Sequence, residues 1–422
     1  QFRFEIGKEQ ESGASAGSAS RLETQEASPR PRPEGLGPRG AEPRGGARLG
    51  LVHTPRGVVA TPAFMPVATQ AAVKAISRQQ LLELGTELLL ANAYHLYLRP
   101  GLEVISRAGG LHQFMGWERP LLTDSGGYQV FSLANLREVS EEGVVFRSPL
   151  DGGEHFLTPE ALIEIQHRLE AEIIMAFDEP AAFGISRGEA EAATRRSDRW
   201  AQRCKQAHDS LGGRMLFGII QGGFWEDLRE ESARRITNLD FDGYAVGGLS
   251  VGEPKQTTFA LAGHVLRFLP RSAPRYLMGV GLPHEILRAV SLGFDLFDCV
   301  LPTRLGRNGT ALTRFGKINL RNHQYQEDFR PLEPGCQCLT CLHHSRAYLR
   351  HLHMAREILA ALLVCYHNLY VYQKLMKDIR HALAEKRFEE FREEFERRLA
   401  LSAAEGREDV QASLSGGGEN SP

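Results

Sequence analysis

Apolar residues in this chain gather into eight short runs, at residues 58–67, 87–91, 120–123, 173–177, 216–220, 244–247, 275–280 and 296–300. Continuous runs of this length read as strands buried on both faces. Between them, segments such as 159–170, 187–206 and 225–237 carry apolar positions at helical spacing with charged outer faces. Strands alternating with helices predict an α/β protein with a (β/α)8 TIM barrel over residues 48–320. An open doubly wound sheet is the alternative, but no G-x-G-x-x-G follows the first run. Residues 144–156, with Asp151-Gly152-Gly153 between their apolar halves, predict a β-hairpin inserted ahead of a helix. Beyond residue 320 the pattern changes to a cysteine cluster followed by long helices, including the strongly charged stretch 386–398. This predicts a zinc-binding helical subdomain over 321–401 that completes the barrel. Residues 1–47 and 402–422 are polar, Gly/Ser-rich stretches and predict a disordered extension and a disordered tail.

Composition narrows the class. At 422 residues, 42% hydrophobic and 24% charged, the chain can bury a large core. A net charge of -2 gives no overall attraction to nucleic acid, although a local basic face remains compatible with it. No apolar run approaches the roughly 18 residues of a membrane span, so no membrane partner is expected. Residues 1–47 lack an apolar core and mix Glu with Arg, unlike a secretory signal or a transit peptide. Six cysteines, three of them tightly clustered, do not form a disulfide framework and point to a reducing cytoplasm.

The chemistry of a barrel sits where its strands finish. Here those ends carry Thr69, Asn92 and His95, Asp124-Ser125-Gly126-Gly127, Asp178-Glu179, Gln221-Gly222-Gly223, Gly247-Gly248-Leu249-Ser250, Met278-Gly279 and Asp298-Cys299. Polar groups, glycines that expose backbone, and two flat or soft contacts (Tyr128 and Met278) suit a flat, uncharged ligand such as a nucleobase. Asp124, Asp178 and Asp298 allow one carboxylate to attack an anomeric carbon and a second to move the proton. The third can accept hydrogen bonds from a base edge. Acids at such ends also cap helices, but three beside Gly-rich turns exceed what capping requires. For Asn92 and His95, internal hydrogen bonding is at least as good a reading as ligand contact. Residues 301–309 read as a Gly-containing loop whose Arg304 and Arg307 could hold phosphates or base edges.

Cys336, Cys338 and Cys341 form a C-x-C-x2-C cluster suited to Zn2+. A fourth ligand would close the site and make the metal structural. His367 is the best candidate, with His343, His344, His351 and His353 competing on spacing and Cys365 on ligand chemistry.

The motifs TDSGGYQVFSL, FDE, IIQGG, AVGGLSVGE, YLMGVG and FDCVLPTRLGRNG, with the cysteine cluster and a later His, resemble the tRNA-guanine transglycosylases, and specifically their bacterial, homodimeric type. The resemblance runs from about residue 49 to 399. It implies exchange of guanine at the first anticodon position of GUN-anticodon tRNAs (Asp, Asn, His, Tyr) for 7-aminomethyl-7-deazaguanine, in queuosine biosynthesis. By that likeness Asp298 is the nucleophile that forms a covalent tRNA intermediate, and Asp124 is the general acid/base. Asp178, Ser125, Gln221, Gly248 and Leu249 bind the base, Tyr128 and Met278 sandwich it, and Glu253 supports the Leu249 peptide. Arg304 and Arg307 grip tRNA, and Cys336, Cys338, Cys341 and His367 hold one structural zinc per subunit. The chain departs from the family pattern at Pro180 (usually Cys), Ala93 (usually Thr) and Ala68 (usually Gly). Val251 is the bulkier bacterial choice where queuine users have Gly, which favours the aminomethyl base. The competing reading is a non-catalytic, tRNA-binding partner subunit, which loss of Asp124 or Asp298 would have supported.

Overall fold

The structure, a computed structural model, describes residues 2–9, 46–132 and 137–415. Eight parallel strands close into a barrel in chain order: β1 (Ala63–Ala68), β2 (Leu89–Asn92), β3 (Leu121–Asp124), β4 (Ile173–Met175), β5 (Met215–Ile220), β6 (Gly243–Val246), β7 (Arg275–Leu277) and β8 (Leu296–Cys299). Alternation along each strand splits its side chains between two cores. Met65, Leu90, Leu122, Met175, Phe217, Ala245, Tyr276 and Leu296 fill the interior. Phe64, Leu89, Leu121, Ile174, Leu216, Val246, Leu277 and Phe297 face the surrounding helices. Both sets are buried, which is why the strands read as unbroken apolar runs.

Local signals start the outer helices. Thr158 accepts from the Ala161 amide at 3.1 Å with Pro159 at the first helical position of Pro159–Leu169. Ser186 and Glu189 form a capping box ahead of the helix Arg187–Leu211. Among the described residues no helix is long and apolar enough to cross a membrane.

Four sequence expectations change. The run 58–67 is two strands: Gly57–Thr61 pairs antiparallel with Arg48–Thr54, and after Pro62 the chain enters β1. Proline has no N–H for a ladder, so it sits at the junction between the two sheets. Within the stretch expected to be disordered, Arg3–Glu9 forms a strand paired antiparallel with Arg48–Thr54, while residues 10–45 lie outside the described residues. Phe2 and Phe4 pack with Val52 and Val59 onto the interior core, closing the end where the strands begin. The helix Phe388–Ser415 extends past residue 402 into the expected disordered tail, and residues 416–422 lie outside the described residues. Finally, the insertion at 144–156 is a hairpin of Val144–Arg147 and Glu154–Leu157 extended by a third strand, Arg137–Val139.

After β8 come a short helix, Leu301–Arg307, and a hairpin of Thr310–Thr313 with Gly316–Asn319. The 27-residue helix Ile358–Ala384 then packs back on the barrel. Its Tyr372 ring lies 4.6 Å from that of Phe64, and its Gln373 donates to the Phe64 carbonyl at 3.3 Å. The distal segment therefore covers the seam between β8 and β1.

Candidate active site

A cavity of about 630 Å3 opens at the carboxyl ends of the strands, within the range of small-ligand sites. Asp124, Ser125, Tyr128, Asp178, Gly248, Leu249, Met278, Asp298, Arg304 and Arg307 all line it. Tyr128 and Met278 follow β3 and β7, which stand four apart in the eight-strand ring, so they lie on opposite walls. Tyr128 is 61% exposed, placing it at the rim.

Each acid has its own surroundings. Asp124 ends β3 and is buried; Asn92 Nδ2 donates to its Oδ2, and the Ala93 amide donates to Oδ1 at 3.0 Å. Asn92 also caps the helix Ala93–Leu98 through Oδ1, accepting from His95 N at 3.0 Å, so the cap orients the amide that meets Asp124. Burial pushes the Asp124 carboxyl up to about 7, and the charges of Asp298 and Asp178 add to this against the Ala93 and Gly126 amides. A group with that value can give and take a proton near neutrality.

Asp298 lies near the end of β8. Tyr276 Oη donates to its Oδ1 at 2.6 Å and the Gly279 amide donates to the same oxygen at 2.9 Å. Burial raises this carboxyl too, and the two donors oppose the rise. Tyr276 is itself held far above its ordinary value, first by burial and then by the Asp298 charge, so it serves only as a donor.

Asp178 accepts from Ser125 Oγ and from Gln221 Nε2, each at 2.7 Å. Burial pushes it up to about 6 against those two hydrogen bonds, so at neutral pH it is mainly an ionised acceptor. Asp178 and Asp298 do not cap the helices that follow them: Ser186 caps the one after β4, and Val300 stands at the start of the one after β8. Gln221 is buried behind the cavity wall, its Oε1 without a hydrogen-bond partner. A Cβ on Gly248 (φ +62°) would stand 2.3 Å from that oxygen, so both conformation and space require glycine.

Two further groups hold this wall. Glu253 accepts from the Ser250 and Val251 amides at 2.6 and 3.0 Å and from the Thr258 hydroxyl. Burial works against its ionised form, but these hydrogen bonds outweigh it and hold the carboxyl below the usual range. Arg229 is completely buried and donates to the carbonyls of Gly223 and Gly247 at 2.9 Å and of Gly248 at 3.2 Å. Burial lowers its guanidinium to about 9, opposed by the Glu253 charge, so it remains a cation at neutral pH. Sequence reasoning missed Tyr276 and Arg229. The first resembles any barrel-core aromatic, and the second any charged position on a surface helix.

Arg304 and Arg307 are exposed at the cavity rim, but residues 301–309 are not the expected loop. Leu301–Arg307 is helical, with Pro302 in its first turn. Gly306 is a close-packing residue rather than a turn former: a Cβ there would lie 2.7 Å from Cys365 Sγ and 2.8 Å from Cys365 N.

Away from the cavity, Cys336, Cys338, Cys341 and His367 bring their ligand atoms within 4.8 Å of one another. The three sulfurs lie 3.9, 3.4 and 3.4 Å from His367 Nδ1. Tetrahedral Zn2+ coordination by sulfur and nitrogen requires about 3.6 Å between such atoms. His367 Nε2 lies 2.9 Å from the Leu312 carbonyl, which fixes the proton there and leaves Nδ1 free to coordinate. The set can hold a metal ion, and four protein ligands would leave it no open position.

The family model described as queuine tRNA-ribosyltransferase matches residues 44–400. The queuine tRNA-ribosyltransferase of Pelotomaculum thermopropionicum is 56% identical over 353 residues, covering 84% of this chain and 95% of that protein. That of Moorella thermoacetica is 54% identical over 350 residues, with 83% and 94% covered. That of Staphylococcus epidermidis is 50% identical over 357 residues, with 85% and 94% covered.

Proposed function

The chain belongs to the queuine tRNA-ribosyltransferase family, and from that premise we propose how its own residues carry out tRNA-guanine transglycosylation in queuosine biosynthesis. The observation that carries the reading is the pair of acids on one cavity with unlike donors, Asp298 under Tyr276 and Asp124 under Asn92. Guanine at the first anticodon position of a GUN-anticodon tRNA is turned into the cavity. An oxygen of the Asp298 carboxylate bonds to the ribose anomeric carbon as the glycosidic C–N bond breaks. Asp124 delivers the proton that the departing guanine needs. The incoming base then loses its proton to Asp124, attacks the anomeric carbon and releases Asp298. Guanine must leave before the new base enters, so the kinetics are ping-pong.

Asp178 accepts from the Watson–Crick edge, supported by Ser125. Gln221 has a second amide N–H beyond the one given to Asp178, and with the Gly248 amide it addresses the exocyclic oxygen. Glu253 steadies the peptide that presents the Leu249 carbonyl to an aminomethyl group. Tyr128 and Met278 flank the ring, and Arg304 and Arg307 hold the neighbouring nucleotides. With Val251 on the cavity wall, 7-aminomethyl-7-deazaguanine is favoured over the bulkier queuine. The metal is Zn2+, structural and one per subunit. Two copies pair as a homodimer, for which a shallow groove beside the cysteine cluster, lined by Phe329, Leu342 and Tyr348 with exposures of 78%, 55% and 40%, offers an apolar surface. The tRNA substrate and the reduced thiolates required by the metal favour the cytoplasm. A non-catalytic partner subunit is not favoured, because both reacting acids are present and face the same cavity.

The test uses GUN-anticodon tRNA labelled in guanine, incubated with the aminomethyl base. Wild type is expected to release the label and Asp298→Ala to release none. No release by wild type, or normal release by Asp298→Ala, would show the assignment to be wrong.

A further inference from the structure

The helix Leu301–Arg307 has seven residues, too few to hold a position by its own hydrogen bonds. Its placement must come from what it packs against. That neighbour is the helix Ile358–Ala384, which meets it at two points one turn apart. At the first, Gly306 and Cys365 are in backbone contact, and Cys365 Sγ donates to the Thr303 carbonyl at 3.3 Å. At the second, the fully buried Asn368 uses every part of its amide. Nδ2 donates to the Pro302 carbonyl at 2.9 Å and to the Thr310 carbonyl at 3.0 Å, while Oδ1 accepts from the Leu312 amide at 2.7 Å. The adjacent His367 holds the carbonyl of the same Leu312.

One side chain thus joins the first turn of the arginine helix, the strand that follows it and the helix carrying a metal ligand. Only a short amide can do this. Aspartate has the shape but no donor for two carbonyls, and glutamine is a methylene too long for a closed site. We infer that Asn368 is a positioning residue that sets the Arg304–Arg307 helix relative to Asp298, and thereby governs docking of tRNA rather than binding of the free base. The groups assigned to the base sit at the ends of β3 to β7, whereas the arginine helix follows β8. The inference rests on the proposed contact of Arg304 and Arg307 with tRNA.

The experiment uses the full chain loaded with zinc. Steady-state exchange is measured with GUN-anticodon tRNA varied at saturating aminomethyl base, and with base varied at saturating tRNA. Zinc content and the melting midpoint are recorded for every variant. Asn368→Asp should raise KM for tRNA by about tenfold, the scale of losing buried hydrogen bonds, while KM for the base stays within about twofold and zinc remains bound. Gly306→Ala, which forces the same helix off Cys365 without touching the amide, should show the same split. In an Arg304→Ala/Arg307→Ala background, Asn368→Asp should add little, because the groups it positions are gone. The inference is overturned if Asn368→Asp leaves KM for tRNA unchanged, raises both KM values together, or acts undiminished without the arginines. Should Asn368→Asp fail to fold or to hold zinc, Gly306→Ala decides by the same split in KM. If the double arginine variant itself binds tRNA normally, the reading beneath the inference has failed instead.

Discussion

Replacing Tyr276 with phenylalanine removes one oxygen from the barrel interior and leaves the ring in place. Its hydroxyl donates to Asp298 Oδ1 at 2.6 Å, alongside the Gly279 amide at 2.9 Å. A hydrogen bond to a charged group contributes roughly 1.5–3 kcal/mol, and a pH unit corresponds to about 1.36 kcal/mol. Because the Gly279 amide still serves the same oxygen, the lower end applies, about one pH unit. The sign follows from the donor's preference for the ionised carboxylate: without it, the Asp298 pKa, already raised by burial, rises further. In the proposed mechanism, attack requires Asp298 ionised, and guanine departure requires Asp124 protonated with its value of about 7. Single-turnover release of labelled guanine should therefore give a bell-shaped pH profile. In Tyr276→Phe the acid limb moves up by about one unit, the basic limb near 7 stays, and the narrowed bell loses height. The assay is rapid-quench release of guanine with enzyme in excess over tRNA. An unmoved acid limb with a uniform loss of rate would mean that Tyr276 serves packing alone. Movement of the basic limb instead would reverse the roles of the two acids.

Stripping the metal with a chelator at neutral pH should release one zinc per chain by atomic emission and lower the melting midpoint. His367 anchors the Leu312 carbonyl, so loss of order around that hairpin is expected in hydrogen exchange. Survival of the folded distal segment without metal would remove the structural role. Leu342→Glu, which places a charge in the exposed groove beside the cysteine cluster, should shift sedimentation from dimer to monomer. A wild type that sediments as a monomer, or a variant that remains dimeric, would exclude this surface as the interface.

The barrel was legible because parallel strands buried on both faces leave unbroken apolar runs, most of them closed by glycines or an acid. Asp124, Asp178 and Asp298 could be picked out as strand-end residues, and the cysteine cluster by its spacing. Element boundaries near Pro62 were not legible, since an apolar run looks the same whether its two halves share a sheet or not. The arginine segment 301–309 reads as a loop because its glycine suggests a turn; in space that glycine is a contact between helices. Nothing local announces the strand Arg3–Glu9, whose partner lies beyond a long low-complexity stretch.

The amino-acid order by itself determined the inventory: eight strands, their reactive ends and a thiolate cluster, all set by local periodicity and side-chain chemistry. Tertiary structure decided what each group experiences. Tyr276 meets Asp298 because β7 and β8 are neighbours in a closed ring. Arg229 gathers carbonyls from the ends of two strands, and Asn368 ties together segments more than fifty residues apart. Desolvation raises all three chemically identical acids, and the unlike donors and charges that the tertiary structure brings to each separate their protonation behaviour.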